Sequence, residues 1–287
     1  MKNRIKNAIK TLLRRLLGMK LYEVFMATRK LGYIPHIRHP RSFNEKILHR
    51  KLYRWKEIPP QLADKWAVRE HVAKTIGPQY LNEVYGVYER AEDIDFAKLP
   101  DSFVIKGTHG SALNIFVKNR EHFDKKTIRD QCRRILSDRY GYFSNERWYL
   151  AIPPRLIVEK LIFDGTLPMP VDYRFFVFDS KVGFVEIDIG RGTNDHTLTL
   201  VTRNFDILPF RQRYPAIPDL QKPLLWDGMV ALAEKIGAGW DAVRVDFYSP
   251  NQQSILFGEI TFAHTAGWCP FTPDNADVEL GKFWKIP

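Results

Sequence analysis

Apolar residues recur at intervals of three and four over residues 5–17, 21–31, 44–55 and 62–76, the spacing that lines one face of an α-helix. The last of these stretches carries Asp64 in its first turn, where an acid complements the helix dipole, and ends at Gly77-Pro78, a strong breaker pair. Beyond it the period shortens to two. Residues 81–88, 103–118, 156–162, 173–178 and 181–189 read as strands, and a helical pattern over 125–139 follows the second of them. A helix over 223–236 precedes two more alternating strands, 243–248 and 256–262, and residues 278–284 close the pattern. Loops are expected at 190–196 and 264–275. Early helices, an inserted hairpin layer and a later mixed sheet predict an α+β architecture.

Composition agrees with a folded enzyme-sized globule: 45% of residues are hydrophobic and 13% aromatic, which excludes a disordered chain. At 287 residues it has length for one large domain or two packed lobes. No internal repeat and no run of about 18 apolar residues is present. Cys132 and Cys269 form no CxxC pattern and the histidines no HExxH spacing. That combination predicts a reducing, cytoplasmic setting and no structural zinc.

The net charge of +11 is uneven. Residues 1–20 hold seven Lys or Arg and no acid, leaving +4 on the rest, 11 less 7. Within that segment Ile5, Ile9, Leu12, Leu13, Leu16 and Leu17 share one side of the wheel, with Lys2, Lys6, Lys10, Arg14 and Arg15 largely elsewhere. It lacks the apolar core and cleavage site of a signal peptide. Two readings stand: a helix lying on an anionic membrane surface, or a first helix packed on the globule with a solvated basic face. Charge gathered at one end, without interleaved aromatics on a sheet, argues against nucleic acid as a partner.

Two regions carry candidate chemistry. In the first, residues 103–118, two apolar runs flank a turn led by Lys106 and holding Gly107, His109, Gly110, Ser111 and Asn114. The pattern is that of a hairpin whose glycines let backbone approach a phosphate, or of an ordinary hairpin with a mobile tip. In the second, Arg244 and Asp246 fall on one face of one strand, and Glu259 and Thr261 on one face of the next. Such oxygen-rich pairs suit Mg²⁺, which takes one or two carboxylates and completes its shell with water and phosphates. The alternative is an exposed strand face with a local Arg–Asp pair.

Taken in order, residues 64–69 (DKWAVR), the 106–118 hairpin, 156–162 (LIVEKLI), 172–178 (DYRFFVF), 243–248 (VRVDFY) and 258–262 (GEITF) resemble the ATP-grasp enzymes. The resemblance is closest to the TupA-like branch found among bacterial surface-polysaccharide genes, and it runs from about residue 62 to residue 272. It implies a two-lobed fold behind a helical N-terminal region: residues 1–60, then a catalytic region 61–287 with a hairpin lobe at about 80–162 and a mixed-sheet lobe at about 163–287. It implies ATP and Mg²⁺ as cofactors. Lys65 and Lys106 match the phosphate-contacting lysines, and the loop from Gly107 to Asn114, including His109, Gly110 and Ser111, matches the flap over the phosphates. Ala112 stands where relatives often carry glycine. Glu159, Lys160, Leu161 and Ile162 match the hinge strand that reads adenine, and Asp172 falls near the ribose. Asp246, Glu259 and Thr261 match the metal ligands, with Thr261 where many members have Asn, and Arg244 would stabilise transferring phosphoryl charge.

The activity implied is ATP-dependent ligation of a carboxylate to an amine through an acyl phosphate, on a glycan or sugar acid with an amino acid or amine as partner. The enzyme would work in the cytoplasm, with residues 1–20 holding it at the inner membrane face. Two alternatives come from other classes. A glycosyltransferase would use an acidic pair such as Asp93-Ile-Asp95 or Glu186-Ile-Asp188. A sugar kinase or non-catalytic relative would share the fold, with Ala112 and Thr261 marking altered chemistry. His109, Arg191, Asn194 and His196 are further candidates for substrate contact.

Overall fold

The computed structural model describes residues 2–119, 124–163, 167 and 169–286, with side chains from residue 8 onward in the first helix. Lys2, Ile5 and Lys6 of the basic segment therefore lie outside the described side chains. Helix α1 (Lys2–Leu31) is two helical pieces joined at Gly18, whose φ of 68° and ψ of 170° break the ladder. That conformation is open to glycine and costly to other residues. Helix α2 (Phe43–His49) starts at a capping box: Ser42 accepts from the Glu45 amide at 3.2 Å, and Glu45 returns a contact to the Ser42 amide at 3.1 Å.

The pattern over 62–76 predicts one helix, but the chain forms two, α3 (Pro60–Ala63) and α4 (Val68–Thr75). Asp64 causes the break. Its Oδ1 accepts from the Trp66 amide at 2.9 Å, while Arg155 Nη2 holds Oδ2 at 2.6 Å. A short polar side chain bonded to nearby amides competes with the helical ladder, and here a charged partner fixes the outcome.

Two antiparallel sheets follow. The first, order β1-β4-β2-β3, is built from β1 (Val84–Tyr88), β2 (Phe103–Gly107), β3 (Asn114–Val117) and β4 (Leu156–Lys160). Helix α5 (Lys125–Leu136) covers one face, burying Ile128, Cys132 and Ile135 against Phe103, Ile105, Leu156 and Val158. Alternation sends Lys106 and Glu159 to the other face, toward the second lobe.

The second sheet, order β7-β6-β5-β8-β9, comprises β5 (Asp172–Phe178), β6 (Lys181–Ile189), β7 (Thr197–Thr202), β8 (Ala242–Tyr248) and β9 (Leu256–Thr261). Every pairing in it is antiparallel, which corrects the expected mixed sheet. Strands β5 to β7 form a meander. Helix α6 (Trp226–Ile236) then carries the chain back so that β8 joins on the far side of β5. Trp226, Met229, Val230 and Ala233 of α6 bury one sheet face in the larger core with Phe175, Val245 and Phe247.

The opposite face is divided along its length. Phe176 and Phe184 stack at 4.3 Å, and Phe43 of α2 packs edge-on over both at 5.6 and 5.7 Å. One pleat further the aromatic rows give way to polar ones. The register sets Glu186 of β6, Arg174 of β5 and Asp246 of β8 side by side, and Asp188 beside Asp172.

A buried ion pair ties the N-terminal helix to this face. Lys51 Nζ donates to Glu23 Oε1 at 2.6 Å and to the Ala266 carbonyl at 2.7 Å. Trp268 Nε1 donates to the same Glu23 oxygen at 2.9 Å, and Asn145 donates to the other. Both charged side chains are fully buried. Helix α7 (Ala276–Gly281) closes the structure, with Asp277 Oδ1 accepting from the Asn44 amide at 2.9 Å.

Candidate active site

A cavity of about 670 Å³ lies between the two sheets, lined from one side by Lys65, Lys106, Ser111 and Asn114 and from the other by Asp172, Arg244, Asp246 and Glu259. That volume falls within the range of small-molecule and cofactor sites. Its floor is the β8–β9 pair. A register shift between Val245 and Phe247 lets Asp246 lean toward β9, close to Gly258, where an added Cβ would come within 3.2 Å of the Asp246 carbonyl.

Arg244 organises the floor. Its Nε and Nη2 donate to the two oxygens of Asp246 at 2.8 and 2.6 Å, and Nη2 also reaches Glu259 Oε1 at 2.8 Å. Its Nη1 donates to His264 Nδ1 at 2.8 Å. Burial works against the guanidinium's charge, but Asp246 and Glu259 outweigh it and hold Arg244 protonated. Burial likewise opposes ionisation of Glu259, yet Lys65 and Arg244 pull its carboxyl down to about 2. Thr261 Oγ1 donates to Glu259 Oε1 at 2.9 Å, so it steadies that carboxylate.

The two acids thus converge on one cation, the guanidinium. Among the described residues no group of three His, Cys, Asp or Glu could hold a metal by itself. The fit is to an ion that takes two carboxylates and draws its other ligands from phosphate oxygens and water, the habit of Mg²⁺. A carboxylate oxygen retains lone pairs after one hydrogen bond, so the Arg244 contacts do not exhaust Asp246 and Glu259.

Across the cavity, the break at Asp64 puts Lys65 on a turn, where Nζ donates to the Gly110 carbonyl at 2.6 Å and lies 3.5 Å from Glu259 Oε2. Lys106 Nζ pairs with Glu159 Oε2 at 2.7 Å, and Arg69 reaches the other oxygen of Glu159 at 3.3 Å. Lys65, Lys106, Glu159 and Ile162 also line a smaller recess that continues toward Tyr248.

Several of the expected residues do not line the cavity. An added Cβ on Gly107 would meet Ile135 Cγ2 at 2.6 Å, and on Gly110 the Tyr140 Cβ at 2.6 Å. Internal packing against α5 and the following loop therefore requires these glycines, and neither lines the cavity. His109 lies buried behind the turn with Nε2 at 3.1 Å from the Ile135 carbonyl, and burial lowers its pKa. Lys160 has an exposed side chain, its amide donates to the Glu83 carbonyl at 3.0 Å, and its carbonyl accepts from Asn82 Nδ2 at 2.8 Å. Leu161 is buried and lines neither the cavity nor the recess. Ala112 occupies the left-handed region at φ 59°, where glycine would be unstrained.

Behind the floor lies a network that the motif reading does not contain. Arg174 donates to Asp172 Oδ2 at 3.0 Å and to Glu186 and Asp188, and Arg191 reaches Asp172 Oδ2 at 2.6 Å. His196 Nε2 meets Asp188 Oδ1 at 2.7 Å, and its ring stacks on Tyr214 at 3.7 Å. Glu186 and Asp188 are thus buried ion-pair partners, whereas Asp93 and Asp95 sit in exposed turns of the other lobe. Asn194 is exposed on the 190–196 loop and lines no cavity described here. The alternation Glu186-Ile-Asp188 against Asp172-Tyr-Arg174 is the sequence signal that points to this network, once the strands are paired. His264, Glu146, Tyr140 and Tyr149, which also line the cavity, carry no comparable local signal.

A family model described as TupA-like ATPgrasp matches residues 45–285. No curated protein matches the chain. Similar solved structures include an ADP complex of purK, N5-carboxyaminoimidazole ribonucleotide synthetase, at 14% identity over 70% of this chain and 45% of that one, TM-score 0.44. Another is the D-alanine–D-alanine ligase from Bacillus anthracis complexed with ATP, at 13% identity over 70% of this chain and 55% of that one, TM-score 0.42. A third is D-cycloserine synthetase DcsG, at 13% identity over 80% and 70% of the two chains, TM-score 0.44. The chain spans about half the length of the first structures it matches, 45% and 54%.

Proposed function

The chain belongs to the TupA-like ATP-grasp family, and on that premise we propose that it is an ADP-forming ligase that joins a carboxylate to an amine at the expense of ATP. The observation that carries this reading is the opposition, across one cavity, of Lys65 and Lys106 to the Arg244–Asp246–Glu259 cluster. Two lysines on one wall suit the oxygens of a polyphosphate as point charges. Asp246 and Glu259 would hold Mg²⁺, which would screen the phosphates from one another and from the acids. Arg244, kept charged by its buried partners, supports stabilisation of the phosphoryl group in flight.

In this mechanism a substrate carboxylate oxygen attacks the γ-phosphorus and ADP leaves, giving an acyl phosphate. The amine nitrogen then attacks the acyl carbon, inorganic phosphate leaves, and the amine's proton passes to solvent. The protein contributes position and fixed charge, with no nucleophile of its own. The proposed carboxylate belongs to a surface glycan or sugar-acid precursor, and the partner is an amino acid or amine. Support for this substrate class is the company that the family keeps.

The proposed site of action is the inner membrane face, and the orientation of α1 favours it. Ile9, Leu12 and Leu16 point outward, at 53%, 58% and 73% exposed. Lys10 and Arg14 lie over Phe143 at 5.4 Å and Tyr142 at 4.2 Å. An outward apolar stripe together with the exposed Arg15 and Lys20 suits an anionic interface, whereas Lys10 and Arg14 turn inward over those rings. No described helix is long and apolar enough to cross a membrane.

The test is Mg²⁺-dependent ATP consumption with uronic-acid oligosaccharides, hydroxylamine being added to trap an acyl phosphate, alongside Glu259→Ala. ADP, free phosphate and a hydroxamate are expected from the natural chain and none from the variant. Phosphate retained on a sugar hydroxyl would identify a kinase, and consumption unaffected by Glu259→Ala would remove the assigned site.

A further inference from the structure

A second cavity, of about 220 Å³, adjoins the first and shares Arg174, Arg191, His264 and Thr265 with it. At roughly 30 Å³ per water in the liquid this is space for about seven waters, or one small polar residue. Its floor contains Glu186, whose Oε2 is buried with no hydrogen-bond partner.

The neighbouring histidine cannot supply one. Arg244 Nη1 is only a donor, so His264 Nδ1 accepts from it at 2.8 Å and the ring proton sits on Nε2. That proton goes to Gln212 Oε1 at 2.9 Å, and the Gln212 amide is fixed in this sense by its Nε2 donating to the Cys269 carbonyl at 3.3 Å. Burial and the charges of Arg244 and Arg174 keep His264 neutral. Glu186 Oε2, 3.4 Å from Nε2, is therefore left without a donor at the buried floor of the cavity, where burial raises the carboxyl's pKa against the opposing pull of Arg174 and Arg244.

The rim has the opposite character. Arg213 is exposed and held at φ 62°, and Arg191 stands beside it at 42% exposed. Thr265, a β-branched residue at φ 46°, forms the wall common to both cavities. Such strained backbone is held only where surrounding structure fixes it, and it collects at ligand sites.

We propose that this second cavity binds the amine co-substrate of the ligase as a free amino acid, its ammonium on Glu186 Oε2 and its carboxylate on Arg213 and Arg191 at the rim. One residue's volume, an acid within and guanidinium groups at the mouth match a zwitterion better than a sugar acid, which offers no cation to Glu186. The shared wall of Arg174 and His264 sets the bound amine next to the cavity in which the acyl phosphate would form. The assignment rests on the ligase reading above.

The experiment is calorimetric titration of the full chain, loaded with ADP and Mg²⁺, against each of the twenty amino acids, ethanolamine and glucuronate. At least one amino acid should bind at least ten-fold tighter than either control. Glu186→Gln, which removes a charge-assisted contact, should weaken that binding at least ten-fold, and Arg213→Gln at least five-fold, while both variants keep natural ADP affinity. Arg213 lies on the surface, so its variant remains informative if Glu186→Gln does not fold. ADP binding without any amino-acid binding, glucuronate as the tighter ligand, or amino-acid binding indifferent to Arg213→Gln would overturn this proposal alone. Failure to bind ADP at all would overturn the ligase reading and this assignment with it.

Discussion

Replacing Lys51 by Met would leave the Glu23 carboxylate in the interior without its counter-charge, since both side chains are fully buried. Breaking one partner of such a pair costs about 3–5 kcal/mol. Glu23 would keep the indole N–H of Trp268 and the amide of Asn145, so the lower end, about 3 kcal/mol, is expected here. That is a large share of the ~5–15 kcal/mol by which a typical domain is stable. In urea unfolding followed by tryptophan fluorescence, a slope of about 3 kcal/mol per molar turns this loss into a midpoint about 1 M lower. The double variant Glu23→Gln/Lys51→Met removes both charges and should return to within ~1 kcal/mol of the natural chain. An unchanged midpoint for Lys51→Met would refute the reasoning, as would a double variant no better than the single one. The loss should also reach the site: Lys51 holds the Ala266 carbonyl at 2.7 Å, and Ala266 and Thr265 stand at φ 56° and 46° on the cavity wall. Below its unfolding transition, Lys51→Met should raise KM more than it lowers kcat.

Burial pushes the Glu146 carboxyl up to about 7, against a partly compensating pull from Lys51. A carboxyl raised in the folded state contributes stability that is complete below its unfolded value, near 4.5, and lost as pH rises through about 7. Glu146→Gln should therefore match the natural chain at pH 4 and exceed it by about 1–3 kcal/mol at pH 8, as read from paired urea titrations. Gly107→Ala would force a Cβ against Ile135 at 2.6 Å, costing about 1–3 kcal/mol of stability. Its ADP affinity by calorimetry should remain natural; a selective loss of affinity would return Gly107 to the phosphate contacts. Replacing Ile9, Leu12 and Leu16 by Gln should abolish co-sedimentation with anionic phospholipid vesicles without changing ATP turnover in solution. If the triple variant sediments as well as the natural chain, the outward face of α1 does not hold it to lipid.

Much of the floor of the site is legible in the sequence. The period of two over 243–248 and 256–262 puts Arg244 with Asp246 and Glu259 with Thr261 on shared faces, and the strands form with those faces together. What the pattern does not contain is the bulge at Asp246, set by the approach of Gly258, which draws the two acids onto one guanidinium. Lys65 shows the same limit at a helix. The local spacing favours a continuous helix, and Arg155, distant in sequence, decides otherwise by holding Asp64. The glycines of the hairpin are a third case. A position that excludes a side chain looks alike in sequence whether a ligand or Ile135 of another element occupies the space. Glu186 and Asp188 gain their meaning only from register, because an alternating acidic pair is the same string whether it faces solvent or Arg174.

The anchoring of Glu23 sets where the chain can be shortened. The outward apolar stripe of α1 invites removal of the whole helix to Leu31 when the protein is prepared at high concentration. Such a cut would take Glu23 with it and strand Lys51 in the interior, undoing the loop at Ala266, which lies near the other end of the chain. Gly18 offers the seam: a chain beginning there loses Ile9, Leu12 and Leu16 but keeps Tyr22 and Glu23 in place. The first helix thus divides at a single residue into a piece that carries the outward apolar stripe and a piece pinned to the interior by Glu23.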